Sequence, residues 1–356
     1  MKGIILHGGS GTRLRPLTHS GPKQLLPIAN KPMSQYCIES LKEAGITDIA
    51  VIIGGIGSTK VKEYYGSGEN FGVKITYIEQ DFPRGIAHAI NLCKDFIKDD
   101  NFVVYLGDNI INQSIRKYVH DFQNSESKAL ILLCEVDNPS KFGVVDLKDG
   151  QITKILEKPK NPPTNFAVIG IYCLSPLIFD IFSRLKPSDR NEYEITDSLQ
   201  MLLDENHTID FDYVTENWKD TGTPNDIILA NKLILEHMDS YFLGKKEENV
   251  ILEGNVMVGK NSIIKSGARI IGPIIIGDDC IIDSNSLLGP NTSIGNNSSI
   301  SNCKIQDSVI MENCNINCGW KIKKSIIGSN SKIISNGQED SSEKILLLGE
   351  GTQIHS

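Results

Sequence analysis

The chain has 356 residues, of which 40% are hydrophobic and 22% charged, and its formal net charge is −8. This composition is typical of a soluble protein with two domains, and the acidic balance argues against a nucleic-acid partner. No apolar run approaches the ~20 residues that cross a bilayer, which argues against a membrane protein.

Eight cysteines are scattered along the chain without a Cys-x-x-Cys pair. Zinc sites and disulfide-rich secreted domains use closely spaced cysteines. We therefore predict free, mostly buried thiols and a cytoplasmic protein. Because Met1-Lys2 leads directly into a strand, no signal peptide is expected.

The chain starts with a short apolar run, Gly3-Ile4-Ile5-Leu6, that predicts a buried strand. Gly8, Gly9 and Gly11 follow, and such glycines allow a sharp turn whose N–H groups can cradle phosphate oxygens. The cations that come next suit a triphosphate. They are Arg13, Arg15 and Lys23.

This glycine loop matches neither of two common phosphate-binding patterns. It contains no Walker motif, and Leu14 stands where the dinucleotide fingerprint starting at Gly9 needs a glycine. The glycines alone could also form a tight connection without a ligand. The neighbouring cations favour phosphate binding.

Helices and strands alternate in the next stretch. We predict helices over 33–44, 58–65 and 86–98 and strands over 49–53, 74–79 and 102–106. This alternation predicts a doubly wound, mostly parallel sheet. Ligands of such sheets bind at the carboxyl ends of the strands, where we expect the glycine loop, 80–85 and 107–108 to share one edge. His88, on the third helix, is predicted to be structural.

Two aspartates are candidate metal ligands. Asp108 lies in a Gly-Asp-Asn turn, and Asp220 precedes a predicted helix with Thr223 as N-cap and Pro224 at its first position. Each could simply be a turn or cap-region residue. Mg²⁺ binds carboxylate oxygens together with substrate phosphates, so a metal role is the alternative.

The middle of the chain carries candidate sugar-binding residues. Glu157 and Lys158 end a predicted strand, either as a solvated strand end or as a carboxylate for sugar hydroxyls beside an ammonium for phosphate. Arg190 and Glu194 lie before a predicted helix. Glu194 could stabilise the helix dipole or contact a sugar.

Beyond the charged linker 240–248, apolar residues recur at every sixth position from Leu252 to Ile300. This hexapeptide repeat predicts a parallel β-helix in which each coil covers the next. The repeat slips after Ile300 and resumes at Ile310. We therefore predict two domains, residues 1–240 and 249–356.

The run GGSGTRLRPLT, followed by PKQLLPIANKPM, closely resembles the signature of the sugar-phosphate nucleotidyltransferases. The later motifs L-G-D, E-K-P, R-x-E-x-E-I-T-D and W-x-D-T-G-T extend the resemblance over nearly the whole chain. The nearest match is to glucose-1-phosphate thymidylyltransferases of the long form. His7 and Phe142 depart from short-form members, which carry a small residue and a tyrosine there.

The resemblance implies a Rossmann-like nucleotidyltransferase domain followed by a left-handed β-helix. It implies transfer of a nucleotidyl group from dTTP to glucose 1-phosphate, giving dTDP-glucose and pyrophosphate, with Mg²⁺ as cofactor. The motif matches assign the metal to Asp108 and Asp220 and catalysis to Arg13, Lys23 and Lys158. The nucleotide would contact Leu6, Gly8, Gly9, Gly11, Thr12, Arg13, Gln24, Gln80, Gly85 and Asp108. The sugar phosphate would contact Gly143, Glu157, Lys158, Val168, Arg190 and Glu194.

Other functions stay open. UTP or another sugar phosphate could be used, because thymine and uracil differ by one methyl group, worth only ~1–3 kcal/mol. A non-catalytic sugar-nucleotide sensor is a third interpretation, which the retained charged site residues argue against. Hexapeptide-repeat acyltransferases use a histidine base, but residues 238–354 contain none. We therefore expect the β-helix to support a homo-oligomer.

Overall fold

The computed structural model describes residues 1–9, 11–215, 218–335 and 340–355. They form two compact units, Met1–Ser10 with Ser34–Trp218 and Gly11–Met33 with Lys219–Ser356. Residues 11–33 thus pack with the later part of the chain, and the predicted division at residues 240–249 stays a prediction. In the described part of the chain, no helix has the length and apolar character needed to cross a membrane.

A nine-stranded mixed sheet forms the core of the first unit. Four adjacent strands, the last of them at the edge of the sheet, are parallel. Consecutive buried residues in the other three show that both of their faces are covered, as in doubly wound sheets. In spatial order these strands are Phe102–Leu106, Lys2–Leu6, Asp48–Ile53 and Lys74–Glu79. The predicted Rossmann-like sheet is confirmed.

The later strands make the sheet mixed rather than purely parallel. Phe166–Leu174 pairs antiparallel with Phe102–Leu106, and Gly143–Lys148 and Gln151–Glu157 follow as an antiparallel hairpin. Ala129–Glu135 also pairs with Phe166–Leu174, and Ile209–Tyr213 lies parallel to it. The hairpin strands are antiparallel because only a two-residue turn, and no helix, lies between them.

The helices before residue 210 are short. They are Met33–Glu43, Ser58–Tyr65, Ile86–Asn91, Lys94–Ile97, Arg116–Gln123, Ile178–Phe182 and Ile195–Asp204. The predicted single helix over 86–98 is wrong, since it divides into two helices. Cys93 N donates to Ile90 O at 2.9 Å, three residues back, and this tighter turn interrupts the α-helical pattern.

The second unit starts with the segment 11–33. This segment contains the 3₁₀ turns Thr12–Leu14 and Lys23–Leu25 and the ribbon of Pro27–Ile28 with Lys31–Pro32. The helix Pro224–Glu236 begins at Thr223, whose hydroxyl accepts from Asp226 N at 3.3 Å in a capping box, so the predicted cap is confirmed.

Polar contacts join the segment 11–33 to this helix and to the β-helix. Ala29 N donates to Asn231 Oδ1 at 2.8 Å, and the amide nitrogen of Asn231 donates to Asn291 O at 3.3 Å. Asn30 Nδ2 donates to Ile294 O at 2.7 Å. The signature segment of the sequence is therefore attached to the middle of the β-helix.

The β-helix has three parallel sheets, and its predicted left-handed architecture is confirmed. One sheet contains Tyr241–Phe242, Val256–Val258, Ile274–Ile276, Thr292–Ile294, Val309–Ile310, Ile326–Ile327 and Leu347–Leu348. The second contains Lys245–Lys246, Ile263–Ile264, Ile281–Ile282, Ser299–Ser301, Asn315–Asn317, Lys332–Ile334 and Gln353–His355. The third contains Ile251–Glu253, Arg269–Ile271, Leu287–Leu288, Lys304–Gln306, Trp320–Lys323 and Asp340–Lys344.

Stacked aliphatic side chains fill the β-helix. Val256 pairs with Ile274, eighteen positions later, so these coils contain three hexapeptides. After Ile300 the next buried isoleucines are Ile305 and Ile310, each five positions on. These two five-residue steps explain the slip in the sequence repeat.

Candidate active site

The carboxyl ends of the parallel strands place four predicted site residues at one edge of the sheet. Leu6 is in register with Leu106, so the residues that follow these two strands start at the same level. Gln80 follows the strand Lys74–Glu79, and its Oε1 lies 3.5 Å from the position that a Cβ atom would take on Gly8. Asp108 follows Leu106 by two residues at this edge.

A loop and a histidine surround Gln80. The Gln80 side chain is buried, and its Nε2 lies 3.0 Å from His88 Nδ1. The His88 ring stacks on Tyr193, with 6.2 Å between ring centroids and 28° between planes. Burial, together with the nearby Arg84, lowers the pKa of His88. His88 thus contacts Gln80, whose side chain is predicted to bind the nucleotide.

Gly85 has a backbone conformation that favours glycine, with φ +103°. A Cβ atom there would overlap the Tyr193 carbonyl oxygen. Ala87 N donates to Tyr193 O at 3.1 Å, and Tyr193 N donates to Arg84 O at 2.7 Å. These bonds hold the loop before His88 against Tyr193.

Asp108 is positioned by its neighbour Asn109, a buried residue that sequence reasoning missed. Asn109 Nδ2 donates to Asp108 Oδ1 at 3.0 Å. Asn109 Oδ1 accepts from Trp218 Nε1 at 2.7 Å and from Gly170 N at 3.2 Å. The side-chain amide of Asn109 therefore links Asp108, the candidate metal ligand, to the strands that contain Gly170 and Trp218. The Gly-Asp-Asn turn was the only feature of the sequence that pointed to Asn109.

His7 lies at the end of the first strand and is 3% exposed. Both nitrogens of its ring lack a hydrogen-bond partner within the described ranges. Burial lowers the pKa of His7 to about 3, and Asp108 opposes this shift. The imidazole is therefore neutral at physiological pH. His7, which stands where short-form family members carry a small residue, is therefore a buried, uncharged side chain.

The candidate sugar-phosphate residues form a charged cluster in the first unit. Lys158 Nζ and Arg190 Nη1 both lie 3.0 Å from Glu157 Oε1. Arg190 Nη1 also lies 3.3 Å from Glu194 Oε1. Two cations thus converge on one carboxylate at the end of the strand Gln151–Glu157. Such a pair can bind a phosphate group.

Hydroxyl groups hold the carboxylates of this cluster. Thr196 Oγ1 donates to Glu157 Oε2 at 2.9 Å, and Ser188 Oγ donates to Glu194 Oε1 at 2.9 Å. Burial and the charge of Glu157 raise the pKa of Glu194. Sequence reasoning missed both hydroxyls, although Thr196 belongs to the R-x-E-x-E-I-T-D motif.

Gly143 and Val168 lie beside this cluster. Gly143 is paired with Glu157, and a Cβ atom on Gly143 would lie 3.3 Å from Glu157 Oε2 and overlap the Thr196 methyl group. Val168 is buried in the strand that also pairs with the Gly143–Lys148 strand. The ring of Phe142 packs edge-on against Trp218, with 5.7 Å between centroids. Phe142 therefore has a packing role here.

Gly9, with φ +101°, follows Gly8 in the first unit, and the second unit holds the other predicted residues. Gly11, with φ +58°, precedes the turn Thr12–Leu14, and Thr18 Oγ1 donates to Gly11 O at 2.8 Å. Arg13 Nη2 lies 3.1 Å from the position of a Cβ atom on Gly222. Arg13 therefore lies beside Gly222, two residues after Asp220, the second candidate metal ligand, which ends the strand Trp218–Asp220.

Lys23 and Gln24 lie in the next turn of this unit, Lys23–Leu25. Lys23 is half-buried, and Gln24 is 1% exposed. Thr12, Arg13 and Arg15 are exposed. No cluster of three or more histidine, cysteine or acidic side chains suited to a metal ion occurs among the described residues.

Comparisons with known proteins match this architecture. The family model for nucleotidyl transferases matches residues 2–237, and the model for the GMPPB C-terminal domain matches residues 270–356. The low-salt glycan biosynthesis nucleotidyltransferase Agl11 of Haloferax volcanii is 43% identical and covers 99% of both chains. A glucose-1-phosphate thymidylyltransferase of Streptomyces griseus is 34% identical over 98% of this chain and 97% of its own.

Solved structures agree over about two thirds of the chain. A Bacillus anthracis protein assigned as a glucose-1-phosphate thymidylyltransferase, solved with sucrose, is 41% identical, with a TM-score of 0.64. It covers 68% of this chain and 98% of its own. A UDP-glucose pyrophosphorylase solved with UDP-glucose is 29% identical, with a TM-score of 0.60 over 67% of this chain and 99% of its own.

Proposed function

Because the chain belongs to the nucleotidyl transferase family, we propose that it transfers the thymidylyl group of dTTP to glucose 1-phosphate, giving dTDP-glucose and pyrophosphate. Nucleotidyl transfer is the activity that names the family, and the Streptomyces griseus relative is named as a glucose-1-phosphate thymidylyltransferase. The observation that carries the sugar-phosphate assignment is the convergence of Lys158 and Arg190 on Glu157 beside Gly143.

In the proposed reaction, an oxygen of the sugar phosphate attacks the α-phosphate of dTTP, and the bond to the departing pyrophosphate breaks. The attacking oxygen is already ionised, so no strong general base is needed. The protein must instead hold two polyanions in line and neutralise their repulsion. Lys158 and Arg190 would hold the sugar phosphate, with Glu157 accepting from a sugar hydroxyl. Arg13 and Lys23 would neutralise the triphosphate.

The remaining polar groups would orient the nucleotide. Gln80 and Gln24 offer amides to the base and ribose, and the backbone at Leu6, Gly8 and Gly85 approaches the ligand closely. Gly9, Gly11 and Thr12 would bind the phosphates.

The candidate donors fit Mg²⁺, which is held by one or two carboxylates together with substrate phosphates. Asp108 would be one ligand, with its orientation set by Asn109, and Asp220 the other. When bound, Mg²⁺ neutralises charge on the triphosphate.

A uridylyltransferase is the second candidate, because a UDP-glucose pyrophosphorylase solved with UDP-glucose matches 67% of the chain. The test is pyrophosphate release with Mg²⁺, glucose 1-phosphate and each of dTTP, UTP, CTP, ATP and GTP. We expect the highest kcat/KM with dTTP. Equal values with UTP would contradict thymidylyl specificity.

The metal assignment is tested with Asp108→Asn and the control Asp121→Asn, an exposed aspartate on the helix Arg116–Gln123. We expect Asp108→Asn to abolish turnover at an unchanged unfolding temperature, and the control to be active. A fully active Asp108→Asn protein would contradict the assignment. The homo-oligomer and the cytoplasmic location also stay proposals, and light scattering of the purified protein tests the first.

A further inference from the structure

The amide of Gln80 is held by a neighbour that the proposed reaction does not use. Gln80 Nε2 lies 3.0 Å from His88 Nδ1. An amide nitrogen has only hydrogens to offer, and each nitrogen of a neutral imidazole is either a donor or an acceptor. His88 Nδ1 therefore accepts, and the ring proton lies on Nε2.

This hydrogen bond turns the oxygen of the amide towards the glycine loop. Gln80 Oε1 lies 3.5 Å from the position of a Cβ atom on Gly8. Both residues follow parallel strands, so the oxygen faces the edge at which ligands of such sheets bind. The protein presents an acceptor at this point.

Pyrimidine bases differ in what they present to such an acceptor. Thymine and uracil carry a hydrogen on ring nitrogen N3, whereas N3 of cytosine has a lone pair. An amide oxygen accepts a hydrogen bond from the first two bases and faces a second acceptor in cytosine. A buried polar group left without its partner weakens binding.

We infer, building on the proposed function, that His88 is a positioning residue that sets base preference. By holding Gln80 Oε1 towards the base, it favours thymine and uracil nucleotides over cytosine nucleotides. Tyr193 supports this arrangement, because it stacks on the His88 ring and its backbone bonds to Arg84 and Ala87. The lowered pKa of His88 is consistent with a neutral ring at pH 7.

The test compares kcat/KM for dTTP and dCTP, with Mg²⁺ and glucose 1-phosphate, in the full-length protein. His88→Leu removes the acceptor, and His88→Asn offers an amide oxygen near the position of Nδ1. His120→Leu, at an exposed histidine, is the control. We expect the dTTP-to-dCTP ratio to fall by about tenfold to a hundredfold in His88→Leu. We expect His88→Asn to retain most of the preference and the control to retain all of it.

A His88→Leu protein with the wild-type ratio would overturn the inference, even if its overall activity were reduced. A merely structural role of His88 lowers activity with both nucleotides and leaves the ratio unchanged. A wild-type protein that releases no pyrophosphate with any nucleotide contradicts the proposed function instead.

A second measurement does not depend on turnover. The ¹⁵N spectrum of the wild-type imidazoles at pH 7, assigned by comparison with His88→Asn, reports which nitrogen of His88 carries the proton. An unprotonated Nδ1 supports the inference. A protonated Nδ1 overturns it, because the amide oxygen of Gln80 would then face the histidine.

Discussion

Asn109→Leu removes a buried amide that connects three parts of the first unit. The change leaves the indole N–H of Trp218 and the backbone N–H of Gly170 without their acceptor, Asn109 Oδ1. Asn109 is 3% exposed and Trp218 7% exposed, so water cannot readily replace this acceptor. Each orphaned donor costs about 1–3 kcal/mol, and we expect the free energy of unfolding to fall by about 2–6 kcal/mol.

The assay is urea unfolding followed by tryptophan fluorescence. The chain has two tryptophans, Trp218 and Trp320, and a Trp320→Phe background leaves Trp218 as the only reporter of the first unit. The shift in midpoint at an unchanged m-value gives the loss of stability. Asn124→Leu is the matched control at an exposed asparagine, for which we expect a change of less than about 1 kcal/mol.

The result that would refute this reasoning is a loss below about 1 kcal/mol in Asn109→Leu. That outcome would mean that the two donors find other partners. We also expect lower turnover in the same variant, because Asp108 loses the hydrogen bond from Asn109 Nδ2.

Three further predictions concern the loop at Gly85, the binding of the sugar phosphate and the second unit. Gly85→Ala should lower the unfolding temperature in calorimetry more than Gly150→Ala. Both glycines have positive φ, but only the Cβ atom at position 85 meets the Tyr193 backbone; equal shifts would refute the overlap. Arg190→Gln should raise KM for glucose 1-phosphate at least about tenfold in steady-state kinetics, without changing KM for dTTP, because only the sugar phosphate loses a charged hydrogen bond. Arg184→Gln, at an exposed arginine paired with Glu205, is its control, and equal effects of the two changes would refute the assignment. Asn231→Leu should destabilise the turn at Ala29 by about 1–3 kcal/mol, seen as faster hydrogen exchange of the Ala29 amide. The control is Asn225→Leu, at an exposed position on the same helix, which should leave the exchange rate of the Ala29 amide unchanged.

Much of the fold could be predicted because its signals are local. The first strand is an apolar run that ends at glycines, and the β-helix repeats an apolar residue every six positions. The antiparallel hairpin of the sheet was missed, although its Asp149-Gly150 turn is a strong hairpin signal. The break in the helix after Asn91 depends on one backbone bond at Cys93, which no composition signal marks.

The charged residues of the candidate site could be predicted from the sequence. The residues that hydrogen-bond to the site residues and orient them could not. Arg13, Lys158 and Arg190 lie in motifs that a resemblance to known enzymes identifies. The link from Asn109 to Trp218 joins residues 109 positions apart, and a single sequence carries no information about such contacts. His88 was predicted to be structural, because its position on a helix does not reveal that its ring faces Gln80.

The attachment of residues 11–33 to the β-helix limits how related chains can be recombined. A chimera that joins residues 1–240 of one protein to the β-helix of another keeps the chain intact but changes the surface beneath Asn30. The bonds from Asn30 to Ile294 and from Asn231 to Asn291 both end on backbone oxygens, so they depend on the path of the coil rather than on its side chains. Successful exchanges would therefore have to move residues 11–33, the helix Pro224–Glu236 and the coils around Thr292–Ile294 together.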